Sequence, residues 1–150
     1  MRIVIQRVSQ ASVTIAGKTK SAIGQGYVVL LGIGSDDTKE DANWLVKKTC
    51  SLRVFDDPDG VMNLSVRDVD GDIIVVSQFT LMASTKKGNR PSWIKAAPHY
   101  ISIPLYEYFC QALAQELGKP IGTGEFGADM KVQLINDGPV TICIDSKNKE

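Results

Sequence analysis

Few residues of this chain are of types that could run acid–base or nucleophilic chemistry. There is one histidine, His99, which follows Pro98, and three cysteines, Cys50, Cys110 and Cys143, widely spaced with no CxxC pair. A Ser-His-Asp or Cys-His hydrolase needs an imidazole beside its nucleophile. His99, placed after a proline, reads as a solvated loop residue. The same counts argue against a zinc site and against a disulfide framework, so no metal and no cofactor is expected. Walker A, HExxH and GxGxxG patterns are absent. The carboxylates of 36–41 and 56–59 fall in turn and helix-cap settings. An enzyme made from this sequence must work with hydroxyls, amides and backbone groups.

Three stretches could supply them. Ser77-Gln78-Phe79-Thr80 directly follows the apolar run Ile73–Val76, so its polar groups sit at a strand end. There a sheet can present backbone N–H groups and hydroxyls to a ligand. The next stretch is Lys86-Lys87-Gly88-Asn89-Arg90-Pro91-Ser92-Trp93-Ile94-Lys95. A basic loop with a tryptophan can pair phosphates and stack on a base. The third is Asp137-Gly138-Pro139, which by spacing alone is a turn with an ordinary trans proline.

The elements that must position these stretches follow from pattern. Ile3–Val8 reads as a strand, Ala11–Ile15 as its partner, and Gly17-Lys18 as the turn after it. Tyr27–Ile33, bounded by glycines, reads as a strand buried on both faces. Thr38 caps a helix with acids in its first turn and Trp44, Leu45, Lys48 and Leu52 along one stripe. The 56–60 run is a turn. Asp70-Gly71 is a hairpin signal before Ile73–Val76. From Ala83 to Ala97 the chain is a polar, basic loop. A second helix is expected over Pro104–Leu117, with Pro104 first and Gly118 closing it. Its buried stripe is Leu105, Phe109, Ala112 or Leu113, and Leu117. Val132–Ile135 and Val140–Ile144 are two more strands joined by Asn136-Asp137-Gly138-Pro139. Six or seven strands with two helices make an α+β protein, with a sheet that can close into a barrel and helices packed outside.

Composition sets the outer limits. The chain has 150 residues, 43% hydrophobic and 23% charged, values suited to one domain over 1–150. Seventeen Lys+Arg balance seventeen Asp+Glu, a formal net charge of zero. That excludes extensive, non-specific wrapping of nucleic acid. The balance is uneven, however. Between Ile73 and Tyr106 there is no acid, and the bases are Lys86, Lys87, Arg90 and Lys95. No run approaches the roughly 18–20 apolar residues of a membrane span, so no membrane partner is expected. Met1–Arg7 is too short and too polar for a signal-peptide core, and free cysteines suit a reducing compartment. A cytoplasmic, unprocessed protein is expected.

Ser77-Gln78-Phe79-Thr80-Leu81 and Asn136-Asp137-Gly138-Pro139-Val140-Thr141 resemble the two signature motifs of the D-aminoacyl-tRNA deacylases. The resemblance runs over essentially the whole chain. It includes Gln6-Arg7-Val8 with Ala11-Ser12-Val13, Met62-Asn63-Leu64, Gly88-Asn89-Arg90-Pro91-Ser92 and Phe126-Gly127-Ala128-Asp129-Met130. It implies a homodimer of β-barrel-like subunits. The implied activity is hydrolysis of the ester between a D-amino acid, or glycine, and the 3′-terminal adenosine of tRNA. It implies that Ser77, Gln78, Phe79 and Thr80 form the catalytic pocket, and that Phe126 and Met130 line the adenine site. It further implies that Gly138-Pro139 is a cis peptide inserted into the partner subunit's site, where it excludes L-amino acids.

An aminoacyl ester is already activated, so positioning and oxyanion stabilisation can suffice. Backbone N–H groups around Phe79 and Thr80 are then the expected oxyanion donors. Two routes supply the nucleophile: Thr80 itself, or water assisted by the ribose 2′-hydroxyl. The absence of a base near Thr80 favours the second. Lys86, Lys87 and Arg90 are expected on phosphates. Rival readings are a non-catalytic tRNA- or nucleotide-binding barrel, a small esterase using Ser77 or Thr80, and a related deacylase that edits mischarged tRNA with a trans Gly-Pro bond.

Overall fold

The computed structural model describes residues 1–150. Its first element, β1 (Arg2–Ile15), is one strand of 14 residues rather than two. The expectation of two came from polar Ser9 and Gln10, which break the apolar alternation. A bulge absorbs them, and the pairing register slips between Val8 and Gln10. A one-residue slip exchanges the faces of a strand. Ile3 and Ile5 accordingly pack with the helices, whereas Val8, Ala11 and Val13 pack with Val28, Ile74 and Val76 inside the curled sheet.

The chain reverses at Ala16-Gly17, with φ of 49° and 77°, into β2 (Lys18–Ile23). The apolar run becomes β3 (Gly26–Gly32), buried on both faces as expected. Helix α1 (Lys39–Ser51) starts at Thr38, whose N–H and hydroxyl both donate to Asp41. Its buried face is Ala42, Leu45, Val46, Thr49 and Cys50. Trp44 is only partly buried, and Lys48 lies over its ring. A small hairpin, β4 (Phe55–Asp56) and β5 (Met62–Leu64), flanks the expected turn.

Asp70-Gly71 does not make a hairpin. It delivers the chain to β6 (Asp72–Ser77), which runs parallel to β3. Glycine is needed at 71 for close approach: a Cβ there would lie 2.9 Å from Val66 Cγ2 and 3.3 Å from Gly26 Cα. A 3₁₀ turn, Phe79–Met82, follows β6.

Helix α2 (His99–Leu117) begins five residues before the expected Pro104 and takes Pro98 as its N-cap. The backbone N–H groups of Ile101 and Ser102 both donate to the Pro98 carbonyl, so the turn is nucleated before Pro104 is reached. Pro104 is exposed, and its missing N–H leaves only the carbonyl of exposed Tyr100 without a donor four residues on. The stripe Leu105, Phe109 and Leu113 is buried as expected, and Ala112 and Leu117 pack at its margin.

After β7 (Gly122–Thr123), β8 (Met130–Asp145) is again one strand where two were expected. It lines one edge of β1 from end to end, while β2 and β3 share the other edge. The sheet order is β2-β1-β3-β6-β7, with parallel β3–β6 and β6–β7 pairs. Ser21 of β2 nearly closes the ring. Its hydroxyl donates to the Thr123 carbonyl at 2.6 Å and accepts from the Thr123 N–H at 3.0 Å. The result is the expected α+β arrangement, a mixed barrel-like sheet with two helices outside.

Candidate active site

The buried run Ile73–Val76 brings Ser77 to the end of β6 beside the end of β3. The Gln78 N–H continues that ladder, donating to the Leu31 carbonyl at 2.8 Å. The chain then curls into the 3₁₀ turn. The Leu81 N–H donates to the Gln78 carbonyl at 3.2 Å, and the Ala83 N–H to the Thr80 carbonyl at 3.1 Å. The N–H groups of Phe79 and Thr80 come first in the turn and have no acceptor within it.

A cavity of about 630 Å³ opens beside this turn. Ser77, Gln78 and Phe79 form one wall, Ala96–His99 another, and Phe126–Met130 a third. The basis is apolar, and His99 and Asp129 are its only charged or titratable side chains. Asp129 is ion-paired to Lys131 at 3.0 Å. His99 sits edge-on to Phe126, with centroids 5.6 Å apart, and Phe126 in turn packs against Tyr106 at 5.9 Å. Behind the wall the Tyr106 hydroxyl donates to the Val75 carbonyl at 2.9 Å. Burial pushes that phenol well above its ordinary range, so it is a fixed neutral donor.

Thr80 does not line the cavity. It is half-buried, and its hydroxyl accepts a hydrogen bond from the Gln78 side-chain amide. No carboxylate or imidazole bonds to it. Phe79 stands 54% exposed at the rim, edge-to-face with Trp93 at 5.2 Å. The basic loop is pinched by mutual bonds of 2.9 Å between Ser84 and Ser92. Lys86, Lys87 and Arg90 lie on its exposed tip without an acidic partner and outside the cavity wall.

Gly138 and Pro139 are exposed and do not line the cavity of their own chain. Asn136 pairs with Val8 and Thr141 with Gln6, so 137–140 bulge outward opposite Arg7 alone. The Gly138–Pro139 peptide is cis. Gly138 has φ of 139°, and a Cβ on it would lie 2.6 Å from Val140 Cγ2 and 2.8 Å from the Val140 nitrogen. Arg7, only 7% exposed, holds the excursion. It donates to the Asp137 carbonyl at 2.9 Å and the Val54 carbonyl at 2.6 Å, and pairs with Asp56 at 3.3 Å. Asn136 closes the base through the carbonyls of Arg7 and Val140.

The profile of the D-Tyr-tRNA(Tyr) deacylase family matches residues 4–145. The chain belongs to this family. It is 67% identical over 150 residues to the D-aminoacyl-tRNA deacylase of Phocaeicola vulgatus, covering all of both chains. Among solved structures it resembles the c-Myc DNA unwinding element binding protein, with a TM-score of 0.89, 43% identity, and 97% and 98% of the two chains covered. A probable eukaryotic D-amino acid tRNA deacylase shares the fold, with a TM-score of 0.83 at 19% identity over 95% of this chain and 97% of that one.

Two residues of this family member stand out only in three dimensions. Arg7 continues the strand alternation Ile3, Ile5, Arg7, and a charge at an inward position was the available signal. His99 is not a loop residue but the first residue of α2, facing the cavity next to Phe126. No local signal marks that helix start, since proline is not among the favoured N-cap residues.

Proposed function

We propose that this deacylase-family chain hydrolyses the ester joining a D-amino acid, or glycine, to the 3′-terminal adenosine of tRNA. It thereby recycles the tRNA and spares L-aminoacyl-tRNA. The observation that carries the reading is the 3₁₀ turn, whose first two N–H groups have no acceptor within it, at the rim of a cavity almost free of ionisable side chains. Such a site suits an activated ester, whose barrier falls mainly to orientation and oxyanion stabilisation.

In this reading the terminal adenine lies against Phe126 and Met130. The acyl carbonyl oxygen meets the Phe79 and Thr80 N–H groups. Water, assisted by the ribose 2′-hydroxyl, adds to the carbonyl carbon. The bond from that carbon to the 3′-oxygen then breaks, and the proton lost by water ends on the leaving 3′-oxygen. Water is preferred to Thr80 as nucleophile, since the Thr80 hydroxyl accepts from the Gln78 amide and no carboxylate or imidazole bonds to it. Ser77 and Gln78 shape the pocket. Lys86, Lys87 and Arg90 hold phosphates near the tRNA 3′ end.

The chirality gate follows from the excursion at 137–140. Gly138 and Pro139 are exposed and do not line their own cavity, which fits insertion into that of a second copy in a two-fold dimer. The outer edge of β8 is unpaired, and Val132 and Ile135 are exposed on it, 36% and 52%. Exclusion of an L side chain by backbone needs a rigid tip, which Arg7 and Pro139 provide. No helix is long and apolar enough to cross a membrane.

The test is hydrolysis of D- and L-tyrosyl-tRNA in parallel. Free D-tyrosine with intact L-tyrosyl-tRNA is expected. A second reading, a non-catalytic nucleic-acid-binding barrel, draws on the DNA-binding name of one structural neighbour. Binding of charged tRNA without release of the amino acid would establish it instead.

A further inference from the structure

We propose that the Arg2–Asp145 pair is a positioning device for the 3₁₀ turn, linking the two ends of the chain to the rate of the reaction. The inference rests on the reading of Phe79 and Thr80 as oxyanion donors. Arg2 and Asp145 face each other in register on β1 and β8. The Arg2 Nε donates to Asp145 at 2.7 Å, and its Nη1 donates to the carbonyl of Leu81 at 3.1 Å. Leu81 is the third residue of the turn. The near end of that turn is fixed by Gln78 on the Leu31 carbonyl. Its far end makes only an internal main-chain bond, Ala83 to Thr80, so Arg2 is the outside polar tether there.

Asp145 is itself held in place. Its second carboxylate oxygen accepts from the Lys147 N–H at 2.9 Å. Ser146 donates its N–H to the Met1 carbonyl at 2.9 Å and receives the Met1 ammonium on its hydroxyl at 2.9 Å. The guanidinium is therefore oriented from one side by a fixed carboxylate and spends its other arm on the turn. The pair is partly open to solvent, with side chains 41% and 23% exposed. An ion pair of that exposure adds little to stability. Its measurable effect falls on the placing of the donors, to which oxyanion stabilisation is acutely sensitive.

The test compares variants of the full-length protein on D-tyrosyl-tRNA, with kcat, KM and thermal midpoint read for each. Arg2→Ala is expected to lose about tenfold in kcat, since small misplacements of catalytic groups cost up to about a hundredfold. KM and the midpoint should hold close to wild type, and Arg2→Lys should recover part of the rate. Asp145→Asn should lose rate too, and its loss should not add to that of Arg2→Ala. Lys147→Ala is the control, because its ammonium bonds Asp41 and the Asp36 carbonyl but not the turn. Wild-type kcat in both Arg2→Ala and Asp145→Asn overturns the proposal, as does an equal kcat loss in Lys147→Ala. The oxyanion reading is judged separately by Phe79→Pro against Phe79→Ala. Both lack the ring, but only proline lacks the N–H. Equal kcat in that pair sinks the oxyanion reading and the premise of the clamp with it, whereas a loss confined to Phe79→Pro beside wild-type kcat in the Arg2 and Asp145 variants sinks the clamp alone.

Discussion

The 3₁₀ turn at 79–82 and the excursion at 137–140 both present backbone rather than reactive side chains, but they are held in opposite ways. The turn continues a strand buried on both sides, and the sheet ladder itself sets its first residue. The excursion interrupts a strand at the edge of the sheet, is exposed, and depends on one buried arginine. The turn lies beside the cavity of its own chain, whereas the excursion does not line it. The contrast separates two tasks. In the proposed reading the turn accelerates hydrolysis within one subunit, and the excursion positions and selects the substrate in the site of a second copy.

The sharpest way to break this comparison is at Gly138. Its φ of 139° and its closeness to Val140 leave no room for a Cβ, so Gly138→Ala must move the tip. A shift of about 1 Å in a positioning group is enough for a loss of about a hundredfold in kcat/KM on D-tyrosyl-tRNA. The fold and the proposed dimer should persist, as judged by thermal midpoint and hydrodynamic size. Full activity with unchanged L-rejection would remove the excursion from the site altogether.

Arg7→Ala comes next. Truncation strips donors from the Asp137 and Val54 carbonyls and leaves Phe55 without its cationic neighbour. The buried Val54 carbonyl left without a donor costs about 1–3 kcal/mol, so a lower unfolding midpoint in denaturant is expected. The ratio of D- to L-hydrolysis should fall as the tip loosens. A variant that is destabilised but fully selective would show that the excursion is rigid without Arg7.

How much of this was legible beforehand depends on how local each feature is. The glycine-bounded run at 27–33, the Thr38 cap and the turn at 56–60 are local, and they stand as read. Continuity of β1 through Ser9-Gln10, and of β8 through 136–140, is decided by pairing between segments over a hundred residues apart. No window of sequence shows it. The same holds for Asp70-Gly71, where glycine serves a close approach to Gly26 rather than a hairpin. At the site, Ser77, Gln78, Phe79, Phe126 and Met130 do meet at one cavity. Thr80, adjacent in sequence, does not line it, because the 3₁₀ turn carries its side chain to the Gln78 amide.

A weaker effect is expected from the charged tip of the basic loop, which stands outside the cavity wall. Neutralising Lys86, Lys87 and Arg90 together should weaken tRNA binding and reduce the slope of log K against log salt by about 2, taking about 0.7 per phosphate contact on a single strand. Rate at saturating tRNA and stereochemical preference should both remain near wild type. An unaltered slope would remove the loop from the tRNA path.

The smallest effect is expected at the residue whose type looks most reactive. Thr80→Val keeps the shape and the backbone N–H of the turn and removes only the hydroxyl. The lost bond from Gln78 is a single neutral hydrogen bond, worth about 1 kcal/mol, so kcat should fall no more than about fivefold. If Thr80 attacked the ester itself, the same change would abolish turnover, since valine offers no nucleophile. A collapse of kcat with an intact fold would therefore place the chemistry on a side chain and end the contrast, because the turn would then act through its hydroxyl and not through its main chain.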